Sequence, residues 1–168
     1  LGTERADAPT SLAVVSISDG EPRYQFYRNN TAERQINTDL LDSVIEKSTR
    51  IFHIGSLSLI EGEDSDLWES KFRSFSSQGI ITSLDPNARS VAVTDKPSYI
   101  ARLFRMLPHT CVLKLSDEDL IYIIPNTNLK DAFNQLCAKT SAELIILTKG
   151  AKGALVKTPS YQFQVKAV

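Results

Sequence analysis

Four β-favouring runs, Arg50 to Gly55, Ile80 to Leu84, Thr110 to Leu115 and Leu144 to Thr148, each follow a segment whose apolar residues recur with helical spacing. This alternation restricts the fold more than any other feature. A chain that switches period in this way builds a mostly parallel α/β sheet flanked by helices, expected here on both faces. Thr38 is the expected cap of the first helix, which carries Leu40, Leu41, Val44 and Ile45. In the second, Trp68, Phe72 and Phe75 fall at i, i+4 and i+7, with Asp64 or Ser65 as the start and Gly79 as the stop. Pro97 suits the first turn of a third helix bearing Ile100, Leu103, Phe104 and Leu107. Ser116 opens a fourth, and after Pro125-Asn126 the residues Leu129, Ala132, Phe133, Leu136 and Cys137 mark a fifth.

The two ends read differently. Ser11 to Ser18, the turn signal Asp19-Gly20 and Tyr24 to Arg28 predict a hairpin that comes before any helix, a small β flap set apart from the main sheet. The period of two puts Phe26 and Arg28 on one face and Tyr27 on the other. Gly153 to Thr158 and Tyr161 to Val168 predict a second hairpin at the sheet's edge. The expected division is a hairpin over residues 10–30 and an α/β unit over 31–168.

Nineteen basic against 20 acidic residues leave no basic stripe for a nucleic acid, so none is expected as a partner. No apolar run approaches the length of a membrane span, and the first ten residues lack the basic flank and apolar core of a signal peptide. No membrane partner is expected, and the cytoplasm is the expected compartment. Cys111 and Cys137 read as buried reduced thiols. His53 and His109, the only histidines, have no neighbour in sequence that suggests a zinc site or a histidine base.

Three places at or just beyond strand C-termini can carry chemistry. In open α/β sheets ligands bind outside the carboxyl ends of the strands. The run Ile80 to Ser90 ends in Asp85-Pro86-Asn87-Ala88-Arg89, where proline stops the ladder and polar groups leave the sheet together. Asp-Pro-Asn is also ordinary turn chemistry. Ser116 and Asp119 have the spacing of a capping box, and the acidic run Asp117 to Asp119 also suits a hydrated Mg²⁺. Thr148 to Gly153 offers two glycines three apart beside Lys149 and Lys152, either a tight turn or a cradle for nucleotide phosphate.

Taken in order, PTSLAVVSI, FYR, HIGSLSL, SLDPNAR, VLKLSDEDL and LIILTKGAKGA resemble the ribokinase-like (PfkB) sugar kinases from about Pro9 onward. The subgroup most similar is fructokinase, with 2-keto-3-deoxygluconate kinase next. The resemblance implies a ribokinase-like, Rossmann-type sheet with a β lid, and ATP-dependent phosphorylation of a sugar hydroxyl with Mg²⁺. It implies that Phe26, Arg28 and Arg89 bind the sugar, and that Asn87, Ser116, Thr148, Lys149, Gly150 and Gly153 serve the nucleotide. Asp119 is implied at the metal, and a homodimer through the β lid.

Two positions depart from the family pattern. Ser116 and Asp119 stand where Asn and Glu are usual, and Phe26 stands where keto-acid kinases tend to carry tyrosine, which favours fructose. Arg28 and Arg89 would still suit a carboxylate. Neither the family's glycine-rich sugar motif nor its G-A-G-D motif, with the base, stands in these residues. They therefore read as the central part of a kinase. Because phosphoryl transfer needs positioning, a base and an anion hole, they are expected to lack useful turnover alone. The competing class is a non-catalytic kinase-like binding module. A third, an unrelated α/β nucleotide binder, would gain if the first hairpin joined the main sheet.

Overall fold

The computed structural model describes residues 6–18, 20–44 and 48–167. Leu12–Ser18 (β1) and Glu21–Tyr27 (β2) pair antiparallel, with Ser18 opposite Glu21. They form a two-stranded sheet of their own, so the hairpin does not join the main sheet. Asp19 of the expected turn lies outside the described residues. Tyr24 and Phe26 share a face of the ribbon with their cross-strand partners Val15 and Ala13.

Helix α1 (Thr38–Val44) begins two residues before Leu40, the first of its expected core. Asn37, not Thr38, is the cap: its Oδ1 accepts the Leu40 N–H at 2.8 Å, while Thr38 already belongs to the helix. Ile45 lies outside the described residues. Strand β3 (Ile51–Gly55) leads into α2 (Glu63–Ser77). Helix α2 starts at Glu63, one residue before Asp64, with Gly62 as the cap, and Asp64 and Ser65 lie in its first turn. Asp64 Oδ1 accepts from Arg34 Nη2 at 2.9 Å, and Ser65 Oγ donates to the Glu61 carbonyl at 3.0 Å. Gly79, at φ +77°, supplies the left-handed residue that ends the helix.

Then come β4 (Ile81–Asp85), α3 (Lys96–Met106), β5 (Val112–Ser116), α4 (Asp117–Ile123), α5 (Leu129–Cys137) and β6 (Leu144–Thr148). Asp95 caps α3 through the Ser98 N–H, and Asn128 caps α5 through the Asp131 N–H. Strands β7 (Ala154–Lys157) and β8 (Gln162–Val165) complete the edge hairpin.

The main sheet runs β3-β4-β5-β6-β7-β8, parallel through β6 and antiparallel after it. Each strand is laid beside the last in the same direction, and right-handed crossovers then bring α2, α3, α4 and α5 onto one face. Burial alternates accordingly. Ile54, Leu84, Leu113, Leu115, Ile145 and Leu147 point into one core with Phe72, Tyr99, Leu103, Met106, Leu120 and Phe133. On the opposite face Ile51, Ile81 and Phe163 remain exposed. The sheet is thus mostly parallel and flanked by helices, but among the described residues the helices gather on one face rather than both. Cys111 and Cys137 are free thiols, half-buried rather than buried.

Candidate functional site

The C-terminal ends of β3 to β6 make a rim on which the Asp85 to Arg89 turn is held from several sides. Register places Ser83 beside Val112 and Leu84 beside Leu113, so Asp85 comes next to Lys114. Lys114 Nζ donates to Asp85 Oδ2 at 2.8 Å, and Asp85 Oδ1 is buried without a hydrogen-bond partner. A Cβ on Gly55 would lie 1.8 Å from the Asp85 carbonyl oxygen, so only glycine lets β3 and β4 finish this close together. The Pro86 carbonyl accepts the Ser56 N–H at 3.0 Å and the Tyr99 hydroxyl at 3.4 Å. Burial, with the charge of Asp119 second, pushes the Tyr99 phenol well above its ordinary range, so it remains a donor.

Asn87 (φ +37°) and Ser56 (φ +57°) both take left-handed backbone, which their surroundings must hold. They line one cleft of about 360 Å³ with Gly55, Ser58, Trp68 and Asp85. Asp119, 7% exposed, meets the turn directly: Oδ1 accepts the Ala88 N–H at 2.7 Å and Oδ2 accepts the Ser116 N–H at 3.0 Å. Ser116 Oγ in turn accepts the Asp119 N–H at 3.0 Å, which completes the capping box.

The first hairpin reaches this rim through Arg89. Its guanidinium carbon lies 5.4 Å from the centroid of the Tyr24 ring, which stacks on Phe26 at 6.0 Å and 4°. Arg28 turns to other partners, Glu33 Oε1 and the Leu57 carbonyl, both at 3.0 Å. Two of its five N–H donors are thereby used. Phe26 and Arg89 are therefore linked through Tyr24, while Arg28 ties the chain after β2 to the segment after β3.

Thr148 and Ser116 are paired in register at the ends of neighbouring strands. The segment from Lys149 to Gly153 is a tight turn in which the Lys149, Lys152 and Gly153 N–H groups donate to Gly153, Lys149 and Gly150 carbonyls. Gly153 is required by another strand: its Cβ would stand 1.9 Å from the Val165 carbonyl oxygen. At Gly150, φ is +53° and a Cβ would meet nothing, so that glycine answers to backbone conformation alone.

Magnesium takes carboxylates, water and phosphate oxygens. Here both Asp119 oxygens accept backbone N–H groups and Asp85 is paired with Lys114. Among the described residues no cluster of three or more His, Cys, Asp or Glu can hold a metal. Asp85 and Asp119, both spent on protein donors, do not fit direct ligands of Mg²⁺. Sequence reasoning did not single out Tyr24, Gly55, Ser56 or Tyr99, and it placed Lys114 at the head of the acidic run without giving it a partner. The signal for Lys114 was a lysine between two leucines of a strand, and for Gly55 a glycine ending one. His53 Nδ1 lies 2.9 Å from Ser83 Oγ on the adjacent strand, a partner invisible in sequence.

No protein-family model matches the chain. A fructokinase of Rhizobium leguminosarum bv. trifolii is 35% identical over 150 residues, covering 87% of this chain and 44% of that protein. Fructokinase-2 of Oryza sativa subsp. japonica is 29% identical over 160 residues, covering 94% and 47%. The crystal structure of fructokinase with bound ATP from Xylella fastidiosa superposes with a TM-score of 0.79 at 25% identity, over 96% of this chain and 51% of that one. The chain is thus similar to fructokinases over most of its length and has the ribokinase-like fold. It spans about half the length of the relatives it matches. The β1–β2 ribbon is the separate hairpin expected from the sequence, and the rim from Gly55 to Lys149 is the candidate site. No described helix is long and apolar enough to cross a membrane.

Proposed function

We propose that the protein carrying this chain is an ATP-dependent sugar kinase, fructokinase-like, that transfers the γ-phosphate to a sugar hydroxyl. The observation that carries this reading is the Asp85 to Arg89 turn, held at the strand rim with Arg89 against the aromatic face of the hairpin. A cation in that place has a partner in an anionic group of substrate or nucleotide. Phe26 covers the sugar from the lid side, and Arg28 and Arg89 supply donors to it. Asn87, Ser116, Thr148, Lys149, Gly150 and Gly153 line the nucleotide side of the rim. ATP enters with its magnesium.

Fructose is preferred over 2-keto-3-deoxygluconate because Phe26 has no hydroxyl to offer a keto acid. The exposed apolar residues of the ribbon, Leu12, Val14, Val15 and Ile17, suit a second copy of the chain, so a lid-to-lid homodimer belongs to the proposal. One observation favours a non-catalytic binding module instead: three N–H groups of the Lys149 to Gly153 segment are already satisfied within the turn. Assay of the full-length protein with ATP and Mg²⁺ on fructose and on 2-keto-3-deoxygluconate separates the readings. Phosphorylation of fructose at the higher kcat/KM is expected. Turnover of the keto acid alone would replace the substrate, and nucleotide binding without turnover on either would replace the kinase.

A further inference from the structure

We infer that Asp119 is a positioning residue, which ties the Pro86 to Arg89 turn to the start of α4, and that it is not a metal ligand; its effect on catalysis rests on the kinase reading, but the tie itself does not. The Ala88 N–H that it accepts lies between the two side chains of the motif, Asn87 and Arg89, so this single bond at 2.7 Å fixes the middle of the turn. The other supports act on one side only. Ser56 and Tyr99 both hold the Pro86 carbonyl, and Lys114 holds Asp85. Among the described residues no other hydrogen bond across elements is made by Ala88.

The second oxygen of Asp119 accepts the Ser116 N–H, so the carboxylate is a bridge between two backbone segments 28 positions apart (116 minus 88). It is 7% exposed, with both oxygens facing backbone donors rather than the cleft. A carboxylate between two N–H groups makes charge-assisted bonds, and in a buried place these are worth more than neutral ones. An amide in its stead has one acceptor oxygen and an NH₂ group that faces a donor, so one of the two bonds must be lost.

The test is Asp119→Asn, followed by hydrogen exchange of the Ala88 amide in metal-free protein. Loss of a bond to a charged group predicts exchange faster by roughly 10- to 100-fold at Ala88. The Leu113 amide in the core serves as reference, since general destabilisation would speed both. Ser116→Ala, which removes the reciprocal cap but leaves Asp119 on Ala88, is expected to leave Ala88 protected relative to Leu113. In the active full-length kinase, Asp119→Asn is expected to raise the sugar KM, or lower kcat, with half-saturating Mg²⁺ unchanged. Ala88 exchange that does not change relative to Leu113 overturns the tie. A rise of about tenfold or more in half-saturating Mg²⁺ with the sugar KM unchanged overturns the assignment in favour of a metal role. Failure of the parent protein to phosphorylate any sugar would sink the kinase reading, and the exchange result would then decide the tie alone.

Discussion

A guanidinium lying over an aromatic ring keeps its in-plane N–H donors turned outward, and Arg89 over Tyr24 has that arrangement beside the turn that ends β4. On the proposed kinase reading, Arg89→Ala in the full-length protein should therefore lower kcat/KM for the sugar by about tenfold or more, the worth of a charge-assisted hydrogen bond. Tyr24→Leu should cost only about two- to fivefold, the scale of a cation–π contact near the surface. Steady-state kinetics of both variants checks the order, and equal effects would mean that Arg89 acts only through Tyr24. Glu69 belongs to the same scale. Burial alone would raise its pKa, but two bonds from Arg105 at 2.7 Å, with the charges of Arg105, Arg102 and Arg73, outweigh it and hold the carboxyl below its ordinary 4.5. A depressed folded pKa contributes stability above the unfolded value and loses it as pH falls through the folded one. Glu69→Gln should lower stability by about 1–2 kcal/mol at pH 7, with the gap closing toward pH 3. Urea midpoints at the two pH values decide this, and a gap that stays constant would count against the ion pair.

At the scale of elements, helix α5 and strand β6 follow the sequence closely because their local signals agree with their packing. Asn128 caps, Ala132, Phe133 and Leu136 are buried, and no distant partner competes. Helix α2 starts at Glu63, one residue before Asp64, with Gly62 as its cap, while Asp64 in the first turn pairs with Arg34. The β7–β8 hairpin depends on one glycine whose necessity is tertiary. Gly153→Ala places a methyl 1.9 Å from the Val165 carbonyl oxygen at a φ of +83°. The variant should be destabilised by about 1–3 kcal/mol, the usual cost of overpacking. Amides of β7 and β8 should then exchange faster while those of β4 and β5 keep their protection. Uniform loss across all four strands would mean that the edge hairpin is part of the same cooperative unit as the core.

The whole molecule carries two apolar surfaces that its own described residues leave open, the β1–β2 ribbon and the sheet face opposite the helices. A two-stranded ribbon is marginal alone, so contact with a second copy would steady it. Replacing Leu12 and Val14, both on one face of the ribbon, with lysine should shift a dimer to monomer in sedimentation. An unchanged mass would remove the ribbon from the interface. By itself the sequence determined which segments become strands or helices, their order, and that polar residues follow the strands' C-termini, because periodicity, caps and turn residues act over a few neighbours. Only the tertiary structure decided that the helices share one face, that Lys114 meets Asp85, and that Asp119 is spent on the Ala88 N–H. Those pairs lie 29 and 31 positions apart, and their meeting depends on strand order, crossover hand and register, quantities that no local pattern of residues contains.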